Sequence, residues 1–167
     1  MQFGLVGSEM CIRDRMEDLG IYQKVILEHS KNPFNFKTLN PCTHHSKGNN
    51  PLCGDQVELF INVKDNLTDE ICFQGVGCAI SMASASILTQ VLNKKKIESS
   101  NQIIKNLIFM VENKDYDFSY LNDDEKELLM AFSEIKKFPM RSKCVSMSWS
   151  TFQAALKNGN YNTESKS

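Results

Sequence analysis

Gln56-Val57-Glu58-Leu59-Phe60-Ile61-Asn62-Val63-Lys64 decides the fold class. Val57, Leu59, Ile61 and Val63 alternate with Gln56, Glu58, Asn62 and Lys64. A period of two marks a strand with one buried and one solvated face. Lys64-Asp65-Asn66 then supplies turn residues, and Glu70–Gln74 reads as the hairpin partner. Gly75-Val76-Gly77 is expected to break the sheet. A helix follows from about Cys78 to Leu92, and its run of Ser81, Ala83, Ser84, Ala85 and Ser86 lets it pack close to the sheet. Upstream, Leu19, Tyr22, Val25 and Ile26 stripe a helix over Glu17–Lys31 that must stop at Asn32-Pro33. Phe34–Leu52, with Pro41, Gly48, Asn49-Asn50 and Pro51, reads as loop with a short edge strand at most. Downstream, Asn101–Glu112 forms a helix with Ser100 as its N-cap. Asn122 caps another, whose first turn, Asp123-Asp124-Glu125, suits the helix dipole, and Pro139 closes it. A last helix carries Val145, Trp149, Phe152 and Leu156. A helix, a small antiparallel sheet and then several helices define an α+β fold.

The rest of the composition narrows the class of function. The chain has 167 residues, and its 19 Lys+Arg against 20 Asp+Glu leave a net charge of −1. No basic excess exists to hold nucleic acid or an anionic membrane surface. The longest apolar runs, such as Leu107–Val111, are far too short to span a bilayer. Met1–Arg15 has no periodicity and no pattern continuous with the first helix, and reads as a non-native or disordered leader before Met16. Residues 16–158 then form a single domain, and 159–167 a polar, flexible tail. No secretory signal is evident, so a cytoplasmic, reducing location is expected, where cysteines stay as thiols or metal ligands.

Three of the six cysteines sit where the chain must break. In Asn50-Pro51-Leu52-Cys53-Gly54-Asp55, a thiol and a carboxylate one residue apart point the same way if the segment is extended. In Gly75-Val76-Gly77-Cys78, two glycines turn the chain and Cys78 arrives at a helix N-terminus, where orphan amides stabilise a thiolate. In Phe138-Pro139-Met140-Arg141-Ser142-Lys143-Cys144, a third cysteine follows a helix start with two cations beside it. Taken singly, each has a bland reading as a small buried hydrophobe. Cys72 and Cys42 read as structural or incidental, His44-His45 as solvent-facing, and His29 as a partner for a helix C-terminus.

Together and in this order, the three motifs, followed by Trp149, resemble the SufU/IscU/NifU N-terminal family of iron–sulfur cluster assembly proteins. The resemblance runs from about Leu19 to Leu156 and implies a SufU/IscU-like fold. Lys143 stands where the scaffold branch of the family has histidine, and 115–129 is similar to the extra segment of the SufU branch. Carried over, the family's metal ligands fall on Cys53, Asp55, Cys78 and Cys144. Three thiolates and a carboxylate around Zn2+ give a formal charge of about −2 by ligand counting, which Arg141 and Lys143 are expected to offset.

The activity that the resemblance implies is that of a zinc-dependent sulfurtransferase, a sulfur relay. Its partner is a SufS-type cysteine desulfurase, Cys53 is the persulfide acceptor, and iron–sulfur assembly machinery lies downstream. Thiolate attack on a persulfide follows the chemistry of thiol–disulfide exchange. The alternative is a scaffold that assembles a 2Fe–2S cluster on the same residues, since thiolates suit either metal. A zinc-stapled interaction module without activity ranks third.

Overall fold

The computed structural model describes residues 20–158 and the backbone of 160–162. The expectations for the leader and most of the tail lie outside the described residues.

The fold grows from its hairpin. Asp65 and Asn66 adopt φ of 53° and 62°, the left-handed pair of a two-residue turn whose twist matches antiparallel strands. β2 (Asp55–Lys64) and β3 (Leu67–Val76) pair from Lys64↔Leu67 back to Gln56↔Val76, with a bulge between Asn62 and Val63. Val57, Leu59, Ile61, Ile71 and Phe73 face inward and are buried in the core. The strand therefore passes through Gly75 rather than stopping there. A Cβ on Gly75 would lie 2.2 Å from the backbone oxygen of Gln56, so that glycine answers a close approach, not a break.

β1 (His44–Asn50) occupies the region expected to be loop, and it is a full seven-residue strand antiparallel to β2. Its sequence holds no apolar side chain, which hides it from any hydrophobic pattern. Its inward residues Ser46, Gly48 and Asn50 are buried beneath the last helix. A Cβ on Gly48 would sit 2.0 Å from Thr151 Oγ1, so the helix rests directly on the strand backbone. β4 (Asn160–Asn162) runs parallel along the other edge of β1, giving the order β3-β2-β1-β4.

The helices cover one face of this sheet. α1 spans residues 20–31 and stops before Asn32-Pro33. α2 (Ala79–Val91) has small buried residues along nearly its whole length and packs against both β3 and α5 (Pro139–Asn158). Trp149 Nε1 donates to Ser84 Oγ at 2.8 Å, and that hydroxyl donates to the Val145 carbonyl at 2.6 Å, so the α2–α5 contact has its buried polar groups paired. α3 covers Ile97–Val111 and starts earlier than expected. Ser100 lies inside it, buried, and is not its cap. The start is set by the hairpin, where Asn66 O accepts from Ile97 N–H at 3.1 Å and Thr68 Oγ1 accepts from Lys95 N–H at 3.0 Å. α4 (Asp123–Met130) has the expected Asn122 cap, completed as a reciprocal capping box with Glu125. It ends at Met130, well before Pro139. A 3-10 turn over Ile135–Lys137 follows, and Pro139 is the first residue of α5, where a missing N–H costs nothing.

His29 departs from its expected role. It is buried, its Nδ1 lies 2.8 Å from Ser86 Oγ, and its ring stacks on Phe34. Burial, the larger effect, holds its pKa below the ordinary histidine value, with Glu28 opposing, so it packs as a neutral ring and not as a dipole-facing cation.

Candidate metal centre

The three cysteine segments converge at the end of the sheet where β1 turns into β2. Residues 51–54 make that turn, with Cys53 N–H donating to Asn50 O at 3.2 Å. Gly54 takes φ +71°, a conformation that favours glycine. The bend leaves Cys53 exposed while Asp55, the first residue of β2, is fully buried. Gly77 passes against that carboxylate so tightly that a Cβ would lie 2.6 Å from Asp55 Oδ1 and 2.4 Å from Ser81 Oγ.

Cys78 is the N-cap of α2, and its Sγ accepts from Ser81 N–H at 3.4 Å. Its own N–H donates to Asp55 Oδ1 at 2.9 Å, and its Sγ lies 3.9 Å from Asp55 Oδ2. Cys144, in the second turn of α5, is buried and places its Sγ 3.5 Å from Cys53 Sγ. Ligand atoms of Cys53, Asp55 and Cys144 all lie within 4.8 Å of one another, while the fourth expected ligand, Cys78, falls outside that group and approaches it only through Asp55. Zn–S bonds of about 2.3 Å imply sulfurs roughly 3.8 Å apart in a tetrahedron, so the Cys53 and Cys144 sulfurs, 3.5 Å apart, are spaced as two ligands of one ion. The donor chemistry, soft thiolates with one hard oxygen, fits zinc as well.

Electrostatics make the same demand. Burial pushes the Cys144 thiol far up, and its hydrogen bonds with Asp55 and Cys53 and the nearness of Cys78 push it further. A thiol placed as Cys144 is keeps its proton unless a cation joins it. Arg141 and Lys143 do not relieve the crowding by contact. Arg141 is exposed, and Lys143 lines a separate hollow with Val111, Glu112, Lys136, Pro139 and Ser142. Among the described residues neither side chain makes a hydrogen bond or ion pair, so any support they give the site is through their charge and not through contact.

The remaining candidates stand apart. Cys72 is buried in β3 and Cys42 precedes β1, and burial raises both thiols above the usual cysteine range, with Glu70 adding to the effect at Cys72. His44 and His45 lie in β1, at the end remote from Asn50, and not in a solvated loop. His45 Nε2 meets Glu58 Oε2 at 2.5 Å and its ring lies against Phe60. Two residues near the cluster, Asn50 and Ser81, carry no sign of a chemical role in the sequence. Asn50 Nδ2 donates to Cys144 Sγ at 3.8 Å. Four large apolar side chains, Leu52, Val76, Phe138 and Met140, flank the cysteine segments and are all more than half exposed, at 55%, 64%, 55% and 61%. A collar of this kind suits a macromolecular partner better than a small ligand.

A small mixed sheet backed by helices, with the thiols of Cys53 and Cys144 and the buried Asp55 carboxylate gathered at one end and Cys78 beside Asp55, presents a candidate thiolate metal centre. The chain belongs to the family of the NifU-like N-terminal domain, which it matches over residues 21–166. It is 38% identical over 137 residues to the zinc-dependent sulfurtransferase SufU of Bacillus subtilis, covering 81% of this chain and 89% of that protein. It is 29% identical to the iron–sulfur cluster assembly scaffold protein IscU of Thermotoga maritima, covering 82% of this chain and 93% of that one. The crystal structure of the SUF-system protein FiSufU from Fervidobacterium islandicum superposes with a TM-score of 0.74 at 28% identity, over 82% of this chain and 97% of that chain. No helix among the described residues is long and apolar enough to cross a membrane.

Proposed function

We propose that this protein is a zinc-dependent sulfur relay that accepts persulfide sulfur from a SufS-type cysteine desulfurase on Cys53 and hands it to iron–sulfur cluster assembly. The observation that carries the reading is the graded exposure of the gathered groups: Cys144 and Asp55 are buried, Cys53 is open to solvent, and Cys78 stands half-buried beside Asp55. A purely structural zinc site has no need of an exposed ligand on a free-standing turn. Similarity to the Bacillus sulfurtransferase supports the same choice.

Cys53, Asp55, Cys78 and Cys144 would hold the zinc. When bound, the ion keeps the thiols deprotonated and shielded until a competing ligand arrives. The chain's own residues do the rest. The Leu52, Val76, Phe138 and Met140 collar seats the donor, and the 51–54 turn brings Cys53 Sγ to the donor's terminal sulfur. The Cys53 thiolate attacks that sulfur, a new S–S bond forms at Cys53, the donor's own S–S bond breaks, and the donor cysteine departs as a thiolate. No net oxidation occurs, so no further reagent is required.

The scaffold reading draws on the similarity to IscU and on thiolates that also suit a 2Fe–2S cluster. Metal content separates the two. A colourless protein with one zinc that stimulates a desulfurase, and carries added sulfur on Cys53 by mass spectrometry after turnover, supports the relay. A brown protein holding iron and sulfide, with Cys53 unmodified, overturns it.

A further inference from the structure

The three sulfurs of the cluster are not equivalent in their hydrogen bonds. Cys78 Sγ accepts from Ser81 N–H. Cys144 Sγ accepts from the Asn50 amide. Among the described residues, Cys53 Sγ accepts no N–H at all. Asn50 itself is 1% exposed and ends β1 directly opposite Asp55 in the strand register. Its side chain faces two ways: Nδ2 reaches Cys144, while Oδ1 accepts from Leu52 N–H at 3.3 Å. Its carbonyl closes the turn by accepting from Cys53 N–H. An amide is the one side chain of this size that donates at one end and accepts at the other, so aspartate or leucine reproduces only half of the arrangement or none of it.

We infer that Asn50 is a positioning residue that sets which thiolate is free to react. An N–H donated to a metal-bound thiolate draws electron density from the sulfur and keeps it in place as a ligand. Asn50 does this to Cys144, as Ser81 N–H does to Cys78, and among the described residues the sulfur without an N–H donor is Cys53. By holding the 51–54 turn with its other atoms, Asn50 also keeps that sulfur within reach of the cluster. Selection of Cys53 therefore has two sources, its exposure and the reservation of its neighbours. The inference rests on the metal-relay reading above.

The test uses the full chain loaded with zinc or, for spectroscopy, with Co2+. Asn50→Asp keeps the acceptor for Leu52 N–H and removes the donor to Cys144, whereas Asn50→Leu removes both. In variants shown to be folded by circular dichroism, zinc release to a colorimetric chelator should quicken about 10- to 100-fold, the usual effect of losing a partner of a metal ligand. The sulfur-to-cobalt charge-transfer band should move to longer wavelength, because the Cys144 sulfur becomes the stronger donor. That shift should persist in a Cys53→Ala background, since it arises at Cys144. A band that stays at its wild-type position in the folded variants overturns the inference even if zinc leaves faster, because a loosened turn alone would produce faster release. If Asn50→Leu does not fold, Asn50→Asp decides by the same measure. A wild-type chain that binds neither zinc nor cobalt removes the relay reading and this inference together, while bound metal with an unmoved band removes this inference alone.

Discussion

The turn between β2 and β3 and the turn between β1 and β2 join strands of one sheet, yet only the first is built for strand pairing alone. Asp65 and Asn66 close the distal turn with two left-handed residues and nothing to spare. The proximal turn uses four residues, 51–54, with a single left-handed glycine. The two additional positions hold Cys53 out at the surface while Asn50 and Asp55, on either side, are buried. A hairpin needs no such excursion. The difference teaches that the sheet's own geometry is satisfied at one end and set aside for chemistry at the other.

The sharpest way to break this contrast is Cys53→Ala. Stimulation of a cognate desulfurase should vanish while the fold and docking survive, because the lost side chain is exposed and the collar is intact. Turnover measured beside circular dichroism and a pull-down checks this, with added free zinc as the control for metal poisoning. Replacing Cys144 or Cys78 with serine should instead lose the zinc and lower the melting temperature, since binding energy of the order of 10 kcal/mol is coupled to folding in structural zinc sites. Cys42→Ser and Cys72→Ser should keep the metal, as neither sulfur belongs to the cluster, and metal analysis of the four variants reads this directly. Asp55→Ala belongs with the first pair, because it removes both a ligand oxygen and the acceptor for Cys78 N–H.

Smaller effects sharpen the comparison of the two turns. Gly54→Ala should cost about 1–2 kcal/mol, the penalty of a Cβ in the left-handed region, and should slow sulfur acceptance by displacing Cys53. Asn66→Gly in the distal turn should change stability by about 0.5 kcal/mol or less and leave activity alone. Thermal denaturation with the desulfurase assay distinguishes the two. The smallest effect lies away from both turns. His29 has its folded pKa below the value near 6.5 that it has when unfolded, because of burial. The unfolded chain then binds more protons, so stability is full above about pH 6.5 and declines as pH falls from there. His44, also lowered by burial, acts in the same direction. His29→Gln should flatten part of that slope in urea melts taken between about pH 7 and 5.

Much of the fold is legible in local pattern. β2 shows the period of two, Asp65-Asn66 names its turn, and Asn122 with Glu125 spells its own capping box. The misses share a physical cause. β1 lacks apolar residues because α5 lies on its backbone, a contact that demands small side chains and removes the hydrophobic signal. α3 begins at Ile97 without a capping side chain because the β2–β3 turn satisfies the amides there. Pro139 starts a helix and does not close one, since the same residue type suits both boundaries and only the chain's path separates them.

From the sequence alone came the α+β class, the hairpin and the Ala/Ser-rich helix, because each rests on side-chain chemistry and spacing within a short window, whereas the candidacy of Cys53, Asp55, Cys78 and Cys144 as one ligand set came from the family resemblance of their three motifs. Tertiary structure alone decided that Cys53, Asp55 and Cys144 meet, with Cys78 beside Asp55. Cys53 and Cys144 are 91 positions apart and Asn50 and Cys144 are 94 apart, yet their atoms lie within 4 Å. It also decided that Lys143, adjacent to Cys144 in the chain, faces another hollow, since successive helix residues point about 100° apart. It made Asn50 a partner of the metal-binding sulfur, a role its identity as a turn residue does not reveal. Local pattern carries propensity and polarity, but not which distant segment will supply the other half of a contact.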